Sequence, residues 1–157
     1  RQGRQTAPQP LKPGRFFLIP VPAGTAGSIV SAMRVKMSSI HVIDPAAAFD
    51  FYTGTLGFEP LMVMPEYNLF IVQAPDVPDG PGLLLEPSDN PVAEAYRTGV
   101  YGLGLPAVVL GVDDVQAEME RLSALGVRFT GPPSTDAMGT QAVFDDGCGN
   151  YVQLHQD

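Results

Sequence analysis

Cations, histidine and cysteine are scarce in this chain. Among 157 residues, Lys and Arg number 9 against 17 acidic residues, a formal net charge of −8, and there are two histidines and one cysteine. The shortage of positive charge argues against nucleic acid, which wants a basic stripe. It leans towards a cationic small ligand, although net charge speaks first to solubility. A lone Cys148 excludes an intrachain disulfide and fits a reducing cytoplasm. No apolar run approaches the length needed to span a bilayer, so no membrane partner is expected. What the chain does have is apolar content of 45%, enough for a globular core.

The other strong feature is repetition. Around residue 41 the chain reads IHVIDPAAAFDFYTGTLGFEP, and around residue 110 it reads VLGVDDVQAEMERLSALGVRFT. In each copy a short apolar strand meets an Asp, then an amphipathic helix, then Leu-Gly and a new strand. Asp44 and Asp114 are 70 residues apart, and Gly57 and Gly126 are 69 apart. A repeat of this length implies two copies of one small unit that cannot bury its apolar face alone.

Residues 1–32 carry five of the sixteen prolines, four glycines and no acidic residue, and read as a Pro-rich leader or flexible extension. Within it, Phe16 to Ile19 could add an edge strand that Pro20 and Pro22 stop. A single domain is expected over 33–157: a first module at 35–87, a linker helix at 90–104 and a second module at 105–156. Asp44 and Asp114 are natural N-caps, with Pro45 at the first helical position, and Gly57 and Gly126 end the helices. Strands are expected at 35–43, 58–64, 69–74 and 83–86, then at 105–112, 127–130, 140–145 and 151–155. Each half is thus strand, helix and three strands, an α+β arrangement.

The segments AFDFYTGTLGFEP (48–60), VDDVQAEMERLSALGVRF (112–129) and FDDGCGNYVQL (144–154), within this order, resemble the vicinal oxygen chelate superfamily. Its members include glyoxalase I, extradiol dioxygenases, methylmalonyl-CoA epimerase, fosfomycin-modifying enzymes and bleomycin-binding proteins. The resemblance covers residues 35–156. It implies two βαβββ modules whose curved sheets form a cup around a metal or a small ligand, and often a homodimer. It does not imply one reaction, because the fold hosts several.

In metal-dependent members, His or Glu stands on the first and fourth strand of each module. Carried onto this chain, those positions fall at Met37, Leu84, Ala107 and Gln153. A thioether, two alkyl groups and an amide cannot hold a hard or borderline divalent ion, so no cofactor is favoured. The alternative is a displaced site for Zn, Ni, Mn or Fe built from His41, Glu86 and His155, which share the strand faces of those positions. That set would support a lyase, isomerase or dioxygenase. The favoured expectation is a cup that binds a small organic molecule, lined by Met37, Ser39, His41, Tyr52, Phe70, Leu84, Tyr101, Gln153 and His155. Were it a catalyst without metal, His41 is the best general base, since imidazole titrates near neutrality. Cys148 has acidic neighbours, Asp145 and Asp146, and reads as a small buried hydrophobe. Asp113-Asp114 reads as a helix cap, and GVYGLGLP (99–106) as the link between modules.

Overall fold

The computed structural model describes residues 32–157, of which Arg34–Asp157 forms one compact unit. The edge strand expected at Phe16 to Ile19 lies outside the described residues. The first module runs β1 (Met37–Val42), α1 (Pro45–Gly54), β2 (Glu59–Met64), a 3-10 turn at Pro65–Tyr67, β3 (Leu69–Gln73) and β4 (Gly82–Pro87). A linking helix α2 (Pro91–Gly102) follows. The second module runs β5 (Pro106–Gly111), α3 (Val115–Ala124), β6 (Arg128–Phe129), β7 (Ser134–Asp136), β8 (Gly139–Asp145) and β9 (Tyr151–Gln156).

Each module makes its own sheet, ordered β1-β4-β3-β2 in the first and β5-β9-β8-β6 in the second, with β7 on β8. The first and last long strands pair in parallel, β1 with β4 and β5 with β9, and the rest pair antiparallel. A parallel pair needs a crossover, and the helix of each module supplies it.

The capping chemistry is where the repeat put it. Asp44 accepts from Ala46 N at 2.9 Å and Ala47 N at 3.2 Å, and Asp114 accepts from Ala117 N at 2.9 Å. Asp113 leaves that role to its neighbour. Gly57 and Gly126, at φ +84° and +89°, turn the chain out of each helix in a conformation that favours glycine. Helix α2 has the same logic: Asn90 accepts from Ala93 N at 3.0 Å and Pro91 opens the first turn.

Each helix covers one face of its sheet. In the first module Ile40, Val42, Phe70, Val72, Leu83 and Leu85 are buried with Ala48 and Tyr52 of α1. In the second, Ala142, Phe144, Val152 and Leu154 are buried with Val115 and Leu122 of α3. Burying one such Val, Leu or Phe side chain contributes about 1.5–3 kcal/mol. The clusters are joined: Phe51 and Leu56 of α1 pack against the second, while Ala107 and Val108 pack against the first. Because side chains alternate along a strand, the intervening residues face away from α1 and α3. That gives each sheet a second face, which α2 meets at His41 and Tyr151.

Candidate ligand cup

Register lines up the open face of the first sheet row by row. Met37 lies beside Gly82, His41 lies beside Glu86, and between them Ser39, Leu84, Ile71 and Met62 run across the four strands. The middle row is greasy; Leu84 is 8% exposed and Ile71 likewise. Gly82 lets that patch close up, because a Cβ there would come within 2.9 Å of Ile71 Cγ2 and Leu61 Cδ2. Polar groups sit at the edge, in the His41–Glu86 pair. The His41 ring stands edge-on to Tyr96 of α2 at 6.1 Å, and its Nδ1 is buried without a hydrogen-bond partner among the described residues. An imidazole nitrogen in that state has full capacity for one further polar contact.

The second sheet's open face is different in kind. Val109, Gln153 and Val143 form one row, and Gly111, His155, Gln141 and Ser134 another. Gln153 Nε2 donates to Gln141 Oε1 at 2.9 Å, which fixes both amides. A third row holds Tyr151, Asp145 and Arg128. Tyr101 of α2 stacks parallel on Tyr151 at 4.5 Å and donates its hydroxyl to Asp145 Oδ2 at 2.8 Å. That bond first, and the neighbouring Tyr151 phenol second, raise the Tyr101 phenol above its ordinary value. One half of the cup is therefore alkyl with a His–Glu edge, and the other is amide, tyrosine and carboxylate.

Of the nine residues expected to line the cup, Met37, Ser39, His41 and Leu84 stand on the first open face, and Gln153 and His155 on the second. Tyr101 joins the second through Tyr151. Tyr52 and Phe70 do not line it. Both belong to the core under α1, and Phe70 is one strand position out of phase with Ile71, the residue that does face the cup. Tyr52 is fully buried and donates to Asp146 Oδ2 at 3.2 Å. Ile71, Met62, Gln141 and Tyr151 belong in the set and were missed. Strand β3 reads LFIVQ, apolar on both faces, so its alternation gave no phase.

The displaced metal set does not assemble. His41 and Glu86 are neighbours on the first sheet, but His155 stands on the second, opposite Gly111 and Gln141, with its Nε2 3.5 Å from Asp157. Among the described residues no three His, Cys, Asp or Glu side chains are grouped as an ion would need.

Cys148 is buried, and burial first, then the charges of Asp146, Asp145 and Asp44, pushes its thiol up to about 12. A thiol held that high is a poor nucleophile at neutral pH. Its role is packing in the turn that joins the modules. There Asp146 Oδ1 accepts from Cys148 N at 2.7 Å and Asn150 N at 2.9 Å, and Oδ2 accepts from Tyr52 and from Asn150 Nδ2. Asn150 Nδ2 also donates to His41 O at 3.0 Å, and Ile43 N to Cys148 O at 3.0 Å. This clasp sets the position of His41 relative to the second sheet.

Comparison with known proteins agrees with this architecture. The chain is 41% identical over 126 residues to the uncharacterised protein YurT of Bacillus subtilis, covering 79% of this chain and 99% of that one. Among solved structures it is similar to UcmS2, at 30% identity with TM-score 0.68, covering 80% of this chain and 99% of the other. It is also similar to TnmS3, an antibiotic binding protein from Streptomyces sp. CB03234, at 31% identity with TM-score 0.62, covering 80% and 97%. The family pattern matches residues 34–154, and with the paired modules it shows that the chain belongs to the Glyoxalase/Bleomycin resistance protein/Dioxygenase superfamily.

Proposed function

We propose that this protein binds a small organic molecule in the cup, without the divalent ion that metal-dependent relatives use. The observation that carries this reading is the greasy row Ser39–Leu84–Ile71–Met62, with Met37 and Leu84 at two of the four usual ligand positions. An apolar wall with a few converging polar groups is the ordinary form of a small-molecule site. The two unlike walls suit a ligand with one alkyl or aryl side and one hydrogen-bonding side. The antibiotic-binding relative at 31% identity supports the same reading. If a reaction occurs, His41 is the group to move a proton.

A second copy of the chain would complete the cup as a homodimer. Met37, Leu61, Met62 and Val109 are 47%, 42%, 48% and 54% exposed, which is much apolar surface to leave in water. A cytoplasmic location suits the reduced, buried Cys148.

The test has two arms. Leu84→Asp places a carboxylate in the greasy row and is expected to weaken binding of bleomycin, or of whichever member of an antibiotic panel binds the wild type, at least tenfold by calorimetry, about 1.4 kcal/mol. Incubation with Zn, Ni, Mn or Fe salts followed by desalting is expected to leave far less than one ion per chain and no change in unfolding midpoint. A stoichiometric ion held by cup side chains would overturn the reading in favour of a metal-dependent lyase, isomerase or dioxygenase.

A further inference from the structure

The seam between the modules is closed at one end and open at the other. Strands β1 and β5 are the edges that meet there, each hydrogen-bonded on one side only, to β4 and β9. The clasp of Asn150, Cys148 and Ile43 ties the seam at the His41 end. Among the described residues no backbone bond ties β1 to β5 at the other end, near Ser38 and Leu110. Two cavities occupy that end, of about 380 and 170 Å³. They share Phe58, Ala74, Leu110 and Gly111, so they form one trench.

The trench borders the cup but reaches beyond it. Ser38, Leu83, Val108 and Leu110, on the opposite strand faces from Ser39 and Leu84, line it, and Gly82, Val109 and Gly111 form the rim it shares with the cup. Its volume is that of a small-ligand site, and its larger compartment is walled almost wholly by alkyl and ring carbon. No Lys, Arg or His lines either compartment. Two carboxylates stand in the smaller one, Asp76 and Glu118. Glu118 is engaged by Arg121, whose Nε donates to Glu118 Oε2 at 2.9 Å. Asp76 is exposed and has no ion-pair partner among the described residues.

We propose that this trench is a second binding site, for a straight-chain alkylammonium: the chain lies between Phe58, Leu83 and Val108, and the cation rests on the Asp76 carboxylate. An alkyl tail gains from leaving water in proportion to its length. An ammonium group gains a charge-assisted contact that a carboxylate head could not make.

The experiment is calorimetric titration of the whole chain with hexylamine, heptylamine and octylamine at neutral pH, with octanoate as the control. Each added methylene is expected to tighten binding about fourfold, from roughly 0.8 kcal/mol per buried CH₂. Octanoate is expected to bind at least tenfold more weakly than octylamine, and Asp76→Asn to remove most of that difference. Ser38→Phe, at an exposed strand position whose side chain points into the trench, is expected to abolish octylamine binding. Ala74→Leu serves as a second blocking variant should the first not fold. The cup variant Leu84→Asp is expected to bind octylamine as the wild type does. Absence of saturable octylamine binding, equal binding of octanoate, or loss of binding in the cup variant but not in the blocked trench would overturn the proposal. Because the cup variant and the trench variants are read separately, neither site's failure imitates the other's.

Discussion

Asp146→Ala is expected to destabilise the fold by about 3 kcal/mol, seen as a drop of roughly 10 °C in the unfolding midpoint. Asp146 is 3% exposed and is the acceptor for four donors: two backbone N–H groups, the Tyr52 hydroxyl and the Asn150 amide. Alanine leaves all four buried with nothing to meet, and each such orphan costs about 1–3 kcal/mol, though not additively. The lost desolvation of a carboxylate offsets part of this, which is why the sum is not larger. Asp146→Asn is expected to cost about half as much. Its oxygen keeps the two backbone bonds and its amide can donate to Tyr52, but it faces the Asn150 amide donor to donor.

The same residue predicts a pH dependence. Burial, outweighing the four donors, holds the Asp146 carboxyl above the ordinary carboxylate range. A raised value in the fold means the protonated form is favoured there. The contribution is therefore fully present at acid pH, below the unfolded value near 4, and is lost as pH rises through the folded value. Urea midpoints measured across the acid range should show this slope in the wild type. The slope should be missing in Asp146→Ala; an unchanged slope would mean that Asp146 is not its source.

Phe144→Ala is expected to cost about 3–5 kcal/mol in urea unfolding. Phe144 is wholly buried, with Phe129 at 5.4 Å and Phe51 at 6.5 Å between ring centroids. Phe51 belongs to α1 of the first module, so the cavity opens where the two cores meet. A double-mutant cycle with Phe51→Leu should therefore return a coupling of about 0.5–1.5 kcal/mol. Additive effects would mean that the modules are stabilised separately and that the clasp alone holds them.

The parts of this fold that could be read from the chain are those written locally. Asp44, Asp114, Gly57 and Gly126 act on backbone within a few residues of themselves, and the 69–70 residue spacing carried the architecture with them. Helix α2, Pro91–Gly102, falls within the linker helix expected at 90–104 and continues through Gly99, because Asn90 and Pro91 start it well and Tyr101 anchors its far end. Strand β7, Ser134–Asp136, is short and polar and gave no periodic signal. The cup was legible where one strand face is plainly polar, as in β1 and β9. It failed at Phe70, where both faces are apolar, and at Tyr52, whose partner lies 94 residues along the chain. Long-range pairing of that sort has no sequence spacing to betray it.

The clasp also fixes how the molecule can breathe. Only the turn between β8 and β9 carries it; the matching turn of the first module, 74–81, is longer and makes no such tie among the described residues. The two halves are held by this tie, by the Arg121 Nη1 bond to Thr55 O at 3.1 Å, and by Phe51 and Leu56 packed between the cores. Where β1 and β5 face each other, the backbone tie lies at the Asn150 end, so amide hydrogens at Leu110 and Gly111 should exchange with deuterium sooner than those around Ala107 and Val108.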